Sequence, residues 1–334
     1  MIYKFLFLVL LGNSFLFSAS HYTIRFSHVV APETPKGKAA IYFKNRVEKL
    51  TKGKITVKIY PNSILFNDSQ VLKAMKDGKL EMAVPSLSKL TSLVPQVQIF
   101  DLPFLFDDMN QVHRVMSGIV GKTIKKLITN KGYIALNYWD NGFKQLSSSK
   151  APLFSPSDAK NQHFRIMNSQ VLKAQFNAVD AKTAIMPFSQ VYNALKNRTV
   201  DAAENPLSNF YSKKFYEVQD SLVLSSHGYL GYMLIISKSF WDRLPAYLQR
   251  DIKKASDEAT SYERKLAKNM EKIYLAKLEK YAQSHSNFHI LKLNKNERDI
   301  WKREISAIYP KFYPQIGLKL IDEVEKTRDY KSAK

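Results

Sequence analysis

Arg165 interrupts an otherwise apolar strand, in Phe164-Arg-Ile-Met-Asn-Ser169, that runs directly into a helix start. A buried guanidinium is costly unless it is paired. Its planar fork matches a carboxylate bidentately, so an Arg at such a place can anchor an organic acid. The ordinary alternative is an exposed strand Arg. In open α/β sheets, ligands bind beyond the carboxyl ends of the strands. That rule selects three more groups: His28 after the first strand, Ser86 after a strand over 80–84, and Asn205 in Ala203-Glu-Asn-Pro206. Taken alone, each of the three is better explained by turn or capping duty.

Catalytic patterns are absent from the sequence. It holds no G-x-S-x-G, H-E-x-x-H or G-x-G-x-x-G. Gly121-Lys122-Thr123 resembles the end of a phosphate loop, but Met116 stands where its first Gly belongs. The seven His lack metal-ligand spacing, and with no Cys there is no thiol nucleophile, disulfide or Cys-ligated metal. Asp201 and Glu204 could form an acid/base pair, with nothing else to support it. The expectation is a binding protein rather than an enzyme, with no cofactor and no metal.

The elements that position these groups alternate between strand and helix. Tyr22–Ser27 and Ile55–Tyr60 read as alternating strands and Leu80–Val84 as a buried one. Between them, Gly37–Leu50 places Ala40, Phe43, Val47 and Leu50 on one helical face, and Asp68 can cap a helix over Ser69–Lys76. The opening is therefore β-α-β-α-β, an α/β layer pattern with parallel strands. A second set follows: strands at Tyr133–Trp139, His163–Met167 and Val200–Ala203, with helices at Val171–Phe176 and about 190–196. Val71–Ala83 also echoes Val191–Ala203 at an offset of 120, which suggests two lobes with similar cores. In the second copy Arg198 stands where the first has Gly78, so either Arg198 or Asn197 must take a left-handed turn position. From Pro245 to about Ser284 the apolar spacing stays helical. At about 1.5 Å per residue that is roughly 60 Å, long enough to lie along both lobes.

The first 20 of the 334 residues carry one charge, Lys4, an apolar run from Phe5 to Leu11, and the small residues Ser18-Ala-Ser20. This reads as a signal peptide cleaved after Ser20; the apolar run falls short of the roughly 20 residues of a membrane span. The formal charge of +22 invites a nucleic-acid or membrane reading. Yet the excess is spread along the chain, and 40 of the 51 basic residues are Lys. That suits a solvated surface better than phosphate reading, so no nucleic-acid partner is expected.

Six stretches carry a resemblance: Phe100-Asp-Leu-Pro-Phe-Leu-Phe106, Trp139-Asp-Asn-Gly-Phe-Lys144, Phe164-Arg165, Met186-Pro-Phe-Ser-Gln-Val-Tyr192 with Ala194-Leu195, Glu204-Asn-Pro206, and Ser226-His-Gly-Tyr-Leu-Gly-Tyr232. In order and spacing, over about residues 22–285, the chain resembles the solute-binding subunits of tripartite ATP-independent periplasmic (TRAP) transporters, and within them the C4-dicarboxylate branch. The resemblance implies a two-lobed α/β periplasmic solute-binding fold, with crossing strands and a long helix spanning both lobes. It puts Arg165 on the arginine that grips a ligand carboxylate, Asn205 on an asparagine that helps hold it, Lys144 on a second cationic position and Phe188 on an aromatic wall. His28, Asp68 and Ser86 fall on cleft positions that vary with substrate. Gln190 and Arg198 depart from the pattern, as a usual Glu and a common turn Gly.

The expected organisation is a signal peptide over 1–20, lobe I over 21–141 plus 231–270, and lobe II over 142–230 plus 271–334. The long helix at about 245–284 is shared. The expected function is capture of succinate, malate or fumarate in the interlobe cleft by a periplasmic monomer, and delivery to the small and large TRAP membrane permease subunits. The alternatives are a receptor of the same fold for a keto acid, sugar acid or aromatic acid, or a ligand-loaded co-sensor for a membrane kinase.

Overall fold

The computed structural model describes residues 21–328; the expected signal peptide lies outside them. Nine strands form one mixed sheet: β1 Tyr22–Ser27, β2 Ile55–Tyr60, β3 Met82–Ala83, β4 Tyr133–Ser148, β5 His163–Ile166, β6 Lys182–Ile185, β7 Ala202–Asn205, β8 Ser221–Ser237 and β9 His289–Lys292. Their order is β2-β1-β3-β8-β4-β7-β5-β6, with β9 beside β8. The outer trios are parallel, as the β-α-β pattern requires. Between them run the long antiparallel strands β4 and β8, which belong to both halves. This is the two-lobed arrangement with crossing strands.

The reading of Tyr133–Trp139 captured only the first part of β4, and β8 did not stand out at all. The polar run Ser225-Ser-His-Gly228 breaks the strand pattern of β8. Inside the fold those groups find partners, so the strand continues through them: Ser225 Oγ lies 2.7 Å from His227 Nδ1, and His227 Nε2 lies 2.8 Å from Glu204. Gly228 is opposite Lys144 in the pairing of β4 with β8. A Cβ there would sit 2.7 Å from Lys144 Cε, so the glycine makes room for the lysine.

Helix Pro35–Leu50 starts at Thr34, whose side chain accepts from Gly37 N. The helix after β2 is shorter than expected, Val71–Lys76, and Gln70 rather than Asp68 stands at its cap. Asp68 is instead buried in an ion pair with Lys89, at 3.4 Å. In the echoed turns Gly78 has φ 70° and Arg198 has φ 56°, so Arg198 takes the left-handed place. Its guanidinium donates to Ser149 O at 3.1 Å.

The long helix runs from Ala246 to Ser284, 39 residues, as its periodicity predicts. It packs on helix Pro35–Leu50, β4, helix Leu207–Ser212 and β9, and so spans both halves. Trp139 Nε1 donates to Thr260 at 3.0 Å, and Asp140 N donates to Glu263 at 2.9 Å. The rings of Tyr42 and Tyr262 stack at 4.7 Å.

The C-terminal segment, expected wholly in lobe II, divides between the halves. Helix Lys295–Ser306 packs on helix Gln170–Asn177, and Trp301 Nε1 donates to Phe154 O at 3.1 Å. The chain then crosses back. Ile308, Phe312, Ile316, Ile321 and Val324 join the core of the first half, with Val112, Ile124 and Ile128. Arg114 Nη2 donates to Thr327 O at 2.8 Å, and Arg328 pairs with Asp107 at 3.1 Å. The apolar spacing was readable, but it does not say which half the face meets.

Gly121, the glycine of the apparent phosphate-loop fragment, lies inside helix Ile119–Asn130. A Cβ there would collide with the Met116 backbone, 2.7 Å from its Cα. Its role is close packing of two helices. Gly121→Ala is expected to destabilise the fold by about 1–3 kcal/mol through overpacking, measured by urea unfolding.

Candidate functional site: the interlobe cavity

The outer halves face each other across a cavity of about 30 Å³. Val29, Val30, Asp68 and Ser86 come from the first half. Arg165, Met167, Phe188, Asn205 and Asn209 come from the second, and Leu230 and Tyr232 from β8. The halves touch around it: Lys213 Nζ donates to Asn62 at 3.2 Å, and Ser86 Oγ contacts Met167 Sδ at 3.5 Å. This is a closed arrangement, so a ligand must enter with the lobes apart.

Arg165 is 3 % exposed. Its Nε and Nη2 donate to Met186 O at 3.3 and 3.0 Å, which fixes the plane of the fork. Among the described residues no carboxylate lies within ion-pair distance of it. Burial pulls its pKa down to about 10, against the favourable charges of Asp68 and Glu204. It remains fully cationic at neutral pH. Phe188 lies under the guanidinium, with the ring centroid 5.9 Å away. Asn205 Nδ2 is buried with no hydrogen-bond partner. A buried amide donor left unpaired costs about 1–3 kcal/mol, so a cationic fork and a free donor on one wall are arranged for an anion.

Arg165, Asn205, Phe188, Asp68 and Ser86 therefore converge on one cavity. His28 is buried, and among the described residues its ring has no side-chain partner. Burial first, and then the charge of Lys36, push its pKa down to about 3. It is a neutral group that can donate one hydrogen bond and accept another.

Lys144 does not line the cavity. It is fully buried, and its Nζ donates to Glu204 at 2.6 Å. Adjacent side chains on a strand point to opposite faces. On β7, Asn205 faces the cavity while Glu204 meets Lys144, His227 and Gln175. Burial alone would raise the Glu204 pKa, but the Lys144 ammonium and His227 outweigh it and hold the carboxyl at about 2. Of the other cations near the cavity, Lys89 pairs with Asp68 and Lys213 donates to Asn62 beside the Phe188 ring, while Lys36 has no ion pair among the described residues. Lys36 lines an adjoining pocket that shares Val30, Asn209 and Tyr232 with the first. Its Nζ sits 3.5 Å from the centroid of the Tyr232 ring and, at the limit of a hydrogen bond, 3.5 Å from Val84 O. Burial brings its pKa down to about 7. In sequence, Lys36 lies in the loop just before the helix expected from Gly37, and nothing there signals the role.

Among the described residues no group of three or more His, Cys, Asp or Glu could hold a metal ion. No helix among them is long and apolar enough to cross a membrane.

Residues 26–315 match the DctP family model, bacterial extracellular solute-binding protein, family 7. The chain belongs to this family. Its members are substrate-binding proteins of transport, which sets the chain apart from enzymes, and TRAP solute-binding proteins work with a membrane permease. The chain is 40 % identical to the C4-dicarboxylate-binding periplasmic protein DctP of Rhodobacter capsulatus, over 90 % of each chain. Its fold superimposes with a TM-score of 0.90 on a TRAP periplasmic solute-binding protein from Sulfurospirillum deleyianum with bound succinate. That protein is 50 % identical, and the match covers 92 % of this chain and all of that one. A sugar acid binding protein from Advenella mimigardefordensis, in complex with galactonate, is 32 % identical with a TM-score of 0.87, over 92 % and 98 % of the two chains.

Removing the Lys144 ammonium leaves the Glu204 carboxylate buried and under-compensated. Lys144→Met is expected to cost about 3–5 kcal/mol in denaturant unfolding. A Lys144 whose task was to touch the ligand would instead lower affinity and leave stability near that of the parent. His28 resists protonation in the folded state, so its ring signals in NMR are expected not to titrate between about pH 5 and 8.

Proposed function

We propose that the protein captures a C4-dicarboxylate such as succinate, malate or fumarate in the interlobe cavity. One carboxylate takes the Arg165 fork and the free Asn205 amide, over the Phe188 ring. The other lies toward Lys36, with Ser86, Tyr232 and neutral His28 as nearby donors. The observation that carries the reading is the pair Arg165 and Asn205: a buried cation with no ion pair among the described residues, beside an unpaired buried donor. The succinate-bound relative at 50 % identity supports the same ligand class.

The closed form gains a ligand bridge between groups from both halves, so the ligand shifts the population toward closure. Desolvation in the closed cavity strengthens each charge-assisted hydrogen bond. In this reading the loaded protein acts as a periplasmic monomer, exported by a signal peptide over residues 1–20. It then docks on the small and large subunits of a TRAP permease, where ion coupling resides. A receptor for a sugar acid is the second reading, favoured by the galactonate-bound relative of the same fold. A ligand panel read by thermal shift separates the two, since a bound ligand raises the unfolding temperature by mass action.

Calorimetry is expected to show succinate binding that weakens by about tenfold or more in Arg165→Ala. Unchanged affinity in that variant would remove the anchor. A carboxylate beside Lys36 favours its charged form, so above about pH 7 binding must take up a proton. Affinity is therefore expected to be greatest below about pH 7 and to fall as the pH rises above it. In Lys36→Met the profile flattens; a profile unchanged by that substitution would place the second carboxylate elsewhere.

A further inference from the structure

A second and larger groove, of about 580 Å³, lies between the long helix and the middle of the crossing strands. It shares no lining residue with the interlobe cavity. Its apolar wall is formed by Met109, Leu207, Leu224, Ala267 and Leu275. Four cations ring it: Arg264, Lys268 and Lys272 from successive turns of the long helix, and Lys292 from the end of β9. Among the described residues none of the four side chains makes a hydrogen bond or an ion pair, and Arg264 Nε is buried without a partner, its charge acting on the neighbouring Glu263 carboxyl.

The acids on the same wall do not balance them. Asp108 is engaged as the cap of helix Met109–Ser117, accepting from Gln111 N at 2.7 Å. Asp140 accepts from Tyr229 OH at 2.9 Å and lies 2.6 Å from His113 Nε2. Glu271 alone is left on this wall, one carboxylate against four cations. An apolar trough with a cationic rim and an unpaired buried guanidinium nitrogen is complementary to one kind of molecule: a flat or short apolar body with an anionic head.

We propose that this groove is a second binding site, for a small amphipathic organic anion such as an aromatic acid. The apolar body lies on Leu207, Leu224 and Leu275, and the head pairs with Arg264 and Lys268 or Lys272. The groove shares Asp140 and Asn141 with the Lys36 pocket, but its cations and its apolar wall belong to it alone.

The probe is 8-anilino-1-naphthalenesulfonate, an anion with an aromatic body. It is titrated by fluorescence into the full folded protein with saturating succinate present, and again without it. The expected result is a saturable gain with one site per chain in both conditions. The exposed pair Lys268→Glu with Lys272→Glu weakens it by about tenfold or more, and Lys292→Glu alone weakens it less. The control pair Lys265→Glu with Lys280→Glu, on the same helix outside the groove, leaves it unchanged. Absence of saturable binding, or equal loss in both double variants, overturns the proposal. Thermal unfolding of each variant confirms that it is folded. Succinate affinity, measured separately by calorimetry, reports on the interlobe cavity, so failure of that reading leaves this test intact.

Discussion

The molecule depends on a buried charge at the point where its two halves are sewn together. Strands β4 and β8 cross between the outer trios, and Lys144 lies across β8 at Gly228 to reach Glu204 on β7. Glu204 also takes His227 from β8 and Gln175 from the helix after β5. One carboxylate therefore ties β4, β7, β8 and a helix together. Unpaired, such a charge would be too costly to bury; with its partners it is satisfied, and every partner must hold its place. This fixes β7 against the crossing strands. It therefore fixes Asn205, the next residue, which faces the opposite way into the cavity.

The cavity is built on the reverse logic. At Glu204 the carboxylate, the Lys144 ammonium and the His227 ring satisfy one another. Around Arg165 and Lys36 no carboxylate lies within ion-pair distance among the described residues, although the charge of Asp68 reaches both, and the buried Asn205 amide nitrogen makes no hydrogen bond there. Asp68 is matched to Lys89, so it adds shape and field more than a free acid. A site left electrostatically incomplete on both walls closes most favourably around a molecule that brings its own negative charges. The mixed sheet makes that economical, because the walls are strand ends and the segments that follow them, carried by the two half-sheets.

Much of this was legible in local pattern. The 39-residue helix, the paired helix-turn-strand units at 71–83 and 191–203, and the parallel opening strands follow from periodicity and turn residues, and they appear where expected. Arg165 stood out because a strand otherwise reserved for apolar side chains held a guanidinium. Lys144 and Lys36 look alike in sequence, as lysines near apolar residues, and here their surroundings differ. Lys144 has Glu204 at 2.6 Å, whereas Lys36 has an aromatic face and, among the described residues, no ion pair. Strand β8 was hidden by its own polar residues, whose partners lie far away along the chain. The cap expected of Asp68 failed for the same reason: a buried lysine distant in sequence outbid the local backbone amides.

The sequence by itself determined the elements, the α/β class, the family resemblance, and the chemical type of the anchoring side chain. These depend on residue type and short spacing, which act over a few residues. Only the tertiary structure decided which cation is spent on holding the halves together and which remains for a ligand. It also decided that the last helices return to the first half and that the +22 charge includes an unbalanced cluster beside the long helix. The reason is physical. Whether a buried charge is free or paired depends on the nearest opposite charge in space, and in this chain those partners lie tens of residues apart.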